Sequence, residues 1–224
     1  SGNANNYQVS YTNGTLKVNG RTVKYVITAN AADGEYTYDG TPKTAEGVTY
    51  DNLTFGGQTY KVEGLSSSRT ETNVDSERTG YVTTIVGTAI VTDKDGHDVT
   101  EQFEVDTTDT GLLMINPRPV TVKAADAEKE YDGTVLTNDG WSVEAATKDT
   151  GLVGTDRIGS VKVTGSQLYP GNSANVPSEA TFASGNANNY QVSYTNGTLK
   201  VNGRTVKYVI TANAADGEYT YDGT

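Results

Sequence analysis

Residues 1–41 read SGNANNYQVSYTNGTLKVNGRTVKYVITANAADGEYTYDGT, and the same 41 residues return without a change at 184–224. The offset between the two copies is 183 residues. Folding alone does not explain this identity, because a fold tolerates many different residues at exposed turn positions. A tandem array explains it, since repetition at a fixed period is the sequence signature of repeat architectures. The sequence therefore predicts about one period of an array plus an overlap.

The composition favours an all-β protein with modest cores. Hydrophobic residues make up 34% of the chain, and 15 Tyr outnumber 3 Phe and 1 Trp. Tyrosine rings supply buried area while their hydroxyls stay near water or a polar partner. A chain rich in Thr, Val and Tyr, with 25 Gly and few long helix formers, is typical of β structure.

Charge and cysteine content narrow the classes of partner and compartment. The formal net charge is −11, and nucleic acids and anionic membranes both require a basic face, so neither is expected as a partner. The chain has no cysteine, whereas small extracellular domains of animals often carry disulfides. This absence favours a bacterial surface or an intracellular protein.

The clearest local pattern predicts a β-hairpin, at 7–18 and again at 190–201. Apolar and polar residues alternate with the period of a strand that has one buried face, and Asn-Gly lies between the two alternating runs. Asn-Gly readily takes the two positive φ angles of a type I′ turn. We expect the hairpin to depend on Tyr190, Val192, Tyr194, Asn196, Gly197, Leu199 and Val201.

The same order of elements recurs and predicts two diverged modules in each period. A hairpin, a basic residue, a strand and Tyr-Asp-Gly-Thr follow one another at both places, the second time with a turn at Tyr131, Asp132 and Gly133. We place the last hairpin of a preceding module at 1–20, module A at 21–117, module B at 118–203 and the first strand of the next module A at 204–224. Pro117 and Pro119 favour a stiff junction between A and B.

About seven short strands are expected in each module, at spacings of about 8–12 residues. This spacing predicts Ig-like β-sandwich modules, joined by short linkers into an elongated rod. β-grasp-like modules are the alternative fold. Residues 66–79 lack apolar periodicity and are interpreted as a loop or an exposed edge.

With these motifs in view, the chain resembles the MBG-type ("mostly beta, glycine-rich") and YDG-type modules of bacterial cell-surface proteins. The similarity is carried by NYQVSYTNGTLKV at 189–201, YDGT at 131–134, DKDGHDVT at 93–100 and GLVGTD at 151–156. The resemblance implies a secreted, surface-attached, adhesin-like protein whose modules form a stalk and contact the neighbouring modules of the same chain. It implies no catalytic residues. Residues 66–92 depart from the family pattern in length and polarity.

One acidic turn is a candidate calcium site. Asp93, Asp95 and Asp98 surround Gly96, and His97 is the only histidine of the chain. Carboxylates spaced in this way wrap Ca²⁺ in some calcium loops, but the bidentate glutamate of an EF-hand is missing. Asp-Gly between strands is also a common hairpin turn, and we prefer that interpretation.

Three further candidates have a simpler structural interpretation. The carboxylates of Asp126, Glu128, Glu130 and Asp132 could serve glycoside hydrolysis, but they lie near a predicted turn, where solvated acidic residues are common. Trp141 with Tyr131 or Tyr169 could stack on carbohydrate, although a lone Trp more often anchors a core. Modules of the resembled kind sometimes form Lys–Asn isopeptide or Thr–Gln ester crosslinks, and the candidate lysines are Lys24, Lys61, Lys123 and Lys162.

The sequence thus predicts a stalk or spacer repeat at a bacterial cell surface, without catalytic activity or a required cofactor. Lateral or strand-exchanged chains in a fibre are possible further partners. The alternative is that the repeats are themselves adhesive and bind glycans or host proteins, with repetition adding avidity.

Overall fold

The computed structural model describes residues 4–223 and contains nineteen strands, three short 3₁₀ turns and no α-helix within that range. The fold is all-β, as the composition predicts. The 3₁₀ turns are Ala4–Asn6, Thr100–Gln102 and Ala187–Asn189. The strands are β1 Tyr25–Ala31, β2 Gly34–Thr37, β3 Lys43–Glu46, β4 Val48–Asp51, β5 Thr54–Phe55, β6 Gln58–Thr59, β7 Lys61–Ser66, β8 Ser68–Glu71, β9 Tyr81–Thr84, β10 Val86–Thr92, β11 Phe103–Asp106, β12 Thr110–Asn116, β13 Arg118–Ala124, β14 Ala127–Glu130, β15 Trp141–Val143, β16 Arg157–Thr164, β17 Gly171–Ser184, β18 Tyr190–Thr195 and β19 Gly197–Asn202.

The chain divides into two compact units. Unit 1 comprises Ser1–Tyr36 and Pro42–Ile115, and unit 2 comprises Thr37–Thr41 and Asn116–Thr224. The division after Ile115 lies two residues from the boundary expected from the sequence. The five residues Thr37–Thr41 differ from the expectation, because they belong to unit 2 rather than to the module in which they were placed.

Unit 1 is built around β1, which pairs in parallel with β11 and antiparallel with β4. A second sheet has the order β2-β12-β9, and two-stranded ladders join β7 to β10, β3 to β8 and β5 to β6. Alternate residues of β1 point into a core in which Ile27, Val62, Val91 and Phe103 are buried. Because β8 pairs only with β3 in a two-stranded sheet, residues 68–71 form an exposed edge of this unit.

Unit 2 repeats part of this pairing scheme. Its first strand, β13, is parallel to β18 and antiparallel to β15, and a four-stranded sheet has the order β14-β19-β17-β16. In each unit the first strand is parallel to the strand that follows a 3₁₀ turn, and the second strand neighbours the last strand. The core residues of β13 and β19 alternate along the strands and include Val120, Val122, Ala124, Leu199 and Val201. The two units therefore share the pairing of their first strands and the neighbourhood of their second and last strands.

The predicted hairpin at 190–201 is wrong. β18 and β19 are consecutive, but β18 pairs with β13 in one sheet and β19 pairs with β14 and β17 in another. Asn196 therefore lies where the chain crosses between sheets, and Gly197 has no φ in the left-handed region. The corresponding run 103–115 is likewise divided, since β11 pairs with β1 and β12 with β9. The alternating residues do form two strands, β18 and β19, but each strand pairs with strands distant in sequence and not with the other.

Identical sequence adopts two different states within the chain. Residues 190–202 form β18 and β19, whereas the same sequence at 7–19 is exposed and has no regular structure. Leu199 is fully buried and Leu16, its identical counterpart, is 100% exposed. Residues 25–37 form β1 and β2, whereas the same sequence at 208–220 is exposed. The segments predicted at 1–20 and 204–224 include residues 1–3 and 224, which lie outside the described residues.

Candidate functional site

The most closely organised polar site of unit 2 is centred on Arg118, the first residue of β13 and only 6% exposed. Its Nε donates to the carbonyl of Gly151 at 2.9 Å, and its Nη2 donates to the carbonyls of Thr147, Lys148 and Thr150 at 2.8, 3.0 and 3.0 Å. Its Nη1 lies 3.5 Å from the carbonyl oxygen of Tyr38. A planar guanidinium with five N–H donors suits such a cluster of acceptors. The side chain therefore fastens the loop 147–151 and residue 38 to the start of β13.

The ring of Tyr38 is buried against Tyr190, with ring centroids 5.5 Å apart and an edge-to-face angle of 80°. Tyr190 in turn stacks on Phe182 at 5.2 Å. The Tyr190 hydroxyl donates to Asp156 at 2.6 Å and accepts from the Val153 backbone N–H at 3.0 Å. Edge-to-face and offset-stacked aromatic pairs add stability beyond their buried area. These contacts hold residues 37–41 within unit 2.

Gly40 is required by close packing as well as by backbone conformation. Its φ is +82°, a region that side-chain-bearing residues rarely adopt, and a Cβ there would meet Val153 Cγ1 at 2.7 Å. The turn is stabilised locally by Asp39, whose Oδ1 accepts from the backbone N–H of Thr41 at 2.9 Å and from its hydroxyl at 2.6 Å. We call residues 38–41 the docked turn.

Burial of the two tyrosines raises their pKa values. Desolvation is the main cause for Tyr38, and the nearby Asp156 carboxylate adds to the rise in its pKa. Desolvation is again the main cause for Tyr190, and the hydrogen bond to Asp156 raises the pKa of that hydroxyl further. Both effects favour the neutral phenol in the folded protein.

Unit 2 should therefore lose stability at alkaline pH. A folded-state pKa above the unfolded value of about 10 means that the contribution is fully present below pH 10 and disappears as the pH rises through the folded pKa. We expect the urea midpoint, followed by fluorescence of Trp141, to fall between pH 9 and pH 11 by more in the wild type than in a Tyr190→Phe variant. Tyr50→Phe, in unit 1, serves as the control and should leave this pH dependence unchanged. Equal slopes for the Tyr190→Phe variant and the wild type would contradict the assignment.

A second Tyr-Asp-Gly-Thr segment, at 131–134, repeats some of this geometry inside unit 2. The Tyr131 backbone N–H donates to the Asn202 carbonyl at 2.8 Å, as the Tyr38 N–H donates to Asn116 at 2.9 Å. Arg204, two residues after Asn202, donates through Nη1 to the Tyr131 carbonyl at 3.3 Å, as Arg118 approaches Tyr38. Gly133 also has a positive φ, +83°, so the turn predicted at Asp132-Gly133 is present as a bend.

The bend at 131–134, which we call the second turn, is braced by Lys129. Its ammonium contacts Asp132 Oδ1 at 2.9 Å and the Thr134 carbonyl at 2.7 Å. The same Asp132 oxygen accepts from the Thr134 backbone N–H at 2.9 Å. Lys129 is the largest cause that holds the pKa of Asp132 well below its usual range, followed by Thr134. Unlike Gly40, Gly133 has open space where a Cβ would point.

In the candidate calcium turn, the residues that lie close enough to share an ion differ from those expected. Asp93, Asp95 and His97 bring one ligand atom each within 4.8 Å of one another, but Asp98 points elsewhere and accepts from the Thr100 N–H at 2.9 Å. Asp93 Oδ1 accepts from the backbone N–H groups of Asp95 and His97, both at 2.9 Å. These bonds, that of His97 first, lower the pKa of Asp93. The arrangement is that of a self-capped turn.

Calcium should consequently have little effect on this turn. We expect millimolar Ca²⁺ to leave the unfolding midpoint of the chain unchanged, because the Asp93 carboxylate already accepts local hydrogen bonds and Lys94 pairs with Asp95. Differential scanning calorimetry with and without Ca²⁺ tests this. A stabilisation by Ca²⁺ that the Asp95→Asn variant loses would show that the turn binds the ion.

The remaining sequence candidates are placed as follows. Asp126 accepts from the Thr198 N–H, Glu128 pairs with Lys200, and Glu130 accepts from the Thr205 N–H, so these carboxylates brace separate contacts along β14. The rings of Tyr131 and Tyr169 stack at 6.3 Å, and Trp141 is half-buried on β15 opposite Ala124.

The lysines proposed for isopeptide bonds are all exposed. Lys61 pairs with Glu63, Lys123 lies 3.8 Å from Asp126, Lys162 pairs with Glu179 at 2.8 Å, and Lys24 is exposed near the start of β1. An isopeptide bond of this class needs a buried lysine beside a carboxyl group and an asparagine. The surroundings of these four side chains do not provide one.

Sequence reasoning missed Arg118 and Tyr38 as the organising pair. A signal was available in the chain itself, because Asn-x-Arg follows the last strand of each module at 116–118 and at 202–204. No family model, curated protein or solved structure matched the chain. Among residues 4–223, no helix is long and apolar enough to cross a membrane.

Proposed function

We propose that this chain is a structural stalk or spacer repeat of a bacterial surface protein or fibre, located outside the cell and projecting a distal domain. The observation that carries the proposal is the repetition itself: a 41-residue segment returns unchanged, and the two units pair their first and last strands in the same way. An array of such units has a stability close to a sum over modules plus terms for neighbouring modules.

The chemistry of the described residues is consistent with this role. Arg118, the most buried charged side chain of unit 2, donates its hydrogen bonds to backbone carbonyls. The acidic residues considered for catalysis brace strands and turns at separate places. A structural protein uses buried polar groups in this way, to hold loops and chain segments in place.

We further propose that the modules are sandwich-like and that they stack lengthwise into a rod. Short junctions support this: one residue separates β12 from β13, and Pro117 and Pro119 restrict the chain there. A surface-attached protein without disulfides is compatible with the resemblance to bacterial MBG-type and YDG-type modules.

Small-angle X-ray scattering of the full chain tests the rod. A compact chain of this length would have a radius of gyration of about 17 Å, whereas two modules arranged end to end should give about 23 Å or more. A value near that of a compact globule would reject the rod.

Binding assays separate the spacer from the adhesive alternative. We expect no saturable binding of the full chain to a glycan array or to extracellular-matrix proteins. Saturable binding would favour adhesion by the repeats, and the avidity of a longer array would then be the relevant quantity.

A further inference from the structure

Unit 1 carries an open groove with aromatic walls. We call it the aromatic groove; its volume is about 280 Å³, and its lining includes Arg21, Tyr25, Phe55, Gln58, Tyr60 and Phe103. The rings of Tyr25 and Phe55 stack at 4.3 Å, and those of Tyr60 and Phe103 lie 4.7 Å apart. Such a concave apolar surface is typical of a site that packs against another group.

The topology relates this groove to the place that Tyr38 fills in unit 2. Phe103 begins β11 after the 3₁₀ turn at 100–102, and Tyr190 begins β18 after the turn at 187–189. Both of these strands are parallel to the first strand of their unit. Phe103 therefore holds the position of Tyr190, whose ring is covered by Tyr38.

The arginine at the groove has an identical counterpart that already binds a Tyr-Asp-Gly-Thr segment. Arg21 lies 3.9 Å above the Tyr25 ring and donates to Val23, while Arg204 lies 4.0 Å above the Tyr208 ring and donates to Val206. Arg204 also donates to the Tyr131 carbonyl at 3.3 Å. In the part of the sequence that repeats, Arg204 and Arg21 are the same residue.

From these correspondences we propose that the aromatic groove of unit 1 binds the second turn, residues 131–134, of unit 2 from a preceding copy of this sequence. The Tyr131 ring packs against the half-buried rings of Tyr25, Phe55 and Tyr60, which cover Phe103 itself, and the arginine holds the Tyr131 carbonyl. Gly133, which now faces open space, then lies against the loop that follows β4, as Gly40 lies against Val153. The second turn, which Lys129 stabilises, thus inserts into the aromatic groove of the next module.

The proposal rests on the tandem-array function proposed above, and it is tested by hydrogen exchange. The full chain is compared with an extended chain in which a second copy of residues 42–117 follows residue 224, so that 204–224 and the appended segment complete another module A. We expect exchange of the backbone N–H groups at 131–134 to be about tenfold slower in the extended chain, because docking removes them from water. The peptide that contains these residues occurs once in both chains, so it reports on this turn alone.

Two variants of the extended chain act as a matched pair. Tyr131→Ala removes the ring that should fill the groove, and the protection of residues 132–134 should disappear. Val135→Ala should leave it intact, because the corresponding residue, Pro42, lies outside the segment that packs in unit 2. Lys61→Arg in the appended copy marks its peptides by mass, and slow exchange in those peptides verifies that the appended module is folded. Unchanged exchange at 131–134 beside a folded appended module would overturn the proposal.

If the appended module does not fold, a peptide-binding experiment on the full chain tests the proposal instead. A capped peptide of residues 127–136 is titrated into the isotope-labelled chain and followed by NMR. We expect shifts confined to the aromatic groove, and none with a Tyr131→Ala peptide; the absence of shifts would overturn the proposal. The rod and the docking can fail independently. A compact scattering profile would reject the rod, whereas protection of residues 131–134 from exchange would still support the docking.

Discussion

Replacing Arg118 with alanine is expected to lower the free energy of unfolding of unit 2 by about 3 kcal/mol. The side chain is 6% exposed and serves five backbone carbonyls, so its removal leaves several buried acceptors without a donor. The effect is measured by urea unfolding followed through Trp141, the only tryptophan, which lies on β15 beside β13. The signal therefore reports on unit 2.

Two further variants define the cause of that loss. Arg118→Lys keeps the charge but offers an ammonium in place of a planar fork, and we expect it to recover less than half of the lost stability. Arg204→Ala removes the counterpart that makes fewer contacts, and it should cost less than about 1 kcal/mol. If Arg118→Ala and Arg204→Ala have equal effects, the cluster of carbonyls around Arg118 is not what stabilises unit 2.

Replacing Gly197 with valine is expected to destabilise unit 2 by about 3 kcal/mol. A Cβ at this position would lie 2.4 Å from the carbonyl oxygen of Ala125 and 2.7 Å from that of Ala124. Both atoms belong to backbone, which cannot move aside as a flexible side chain can. The sequence predicted a positive φ at Gly197, but its constraint is instead the close approach of β19 to the end of β13.

The chain supplies its own control for this substitution. Gly14 is the identical position of the first copy, and a Cβ there would have no heavy atom within 4 Å. Gly14→Val should leave the unfolding curve within about 0.5 kcal/mol of the wild type, as is usual for exposed sites. The same change, in the same local sequence, thus separates packing from propensity. Equal melting of the two variants would show that β19 does not approach β13 as described.

The fold class could be predicted from the sequence because it depends on local patterns. Alternation along Tyr190–Thr195 and Gly197–Asn202 correctly indicated strands, and Gly133 correctly indicated a turn. The partners of these strands could not be predicted in the same way. A hairpin and a parallel pair use the same period-two pattern, so only the distant residues of β13 and β14 decide between them.

The site was harder to predict than the fold, for a related reason. Tyr38 and Arg118 lie 80 residues apart, and although the repeated Asn-x-Arg motif marks Arg118, it does not indicate that Tyr38 is its partner. The acidic turn was the converse case, in which a conspicuous local pattern, Asp93 to Asp98, turned out to satisfy its own backbone donors.

The parallel pairing of β13 with β18 has a consequence for biosynthesis. A ribosome releases β13 long before β18, so the first strand of each module emerges without the partner that it will finally have. In the array that we propose, a strand from the wrong repeat would pair with β13 as well as the correct strand does. Only proximity along the chain then favours correct pairing. We therefore expect slower translation, or dilution of the refolding protein, to raise the yield of correctly folded protein more than stabilising substitutions do.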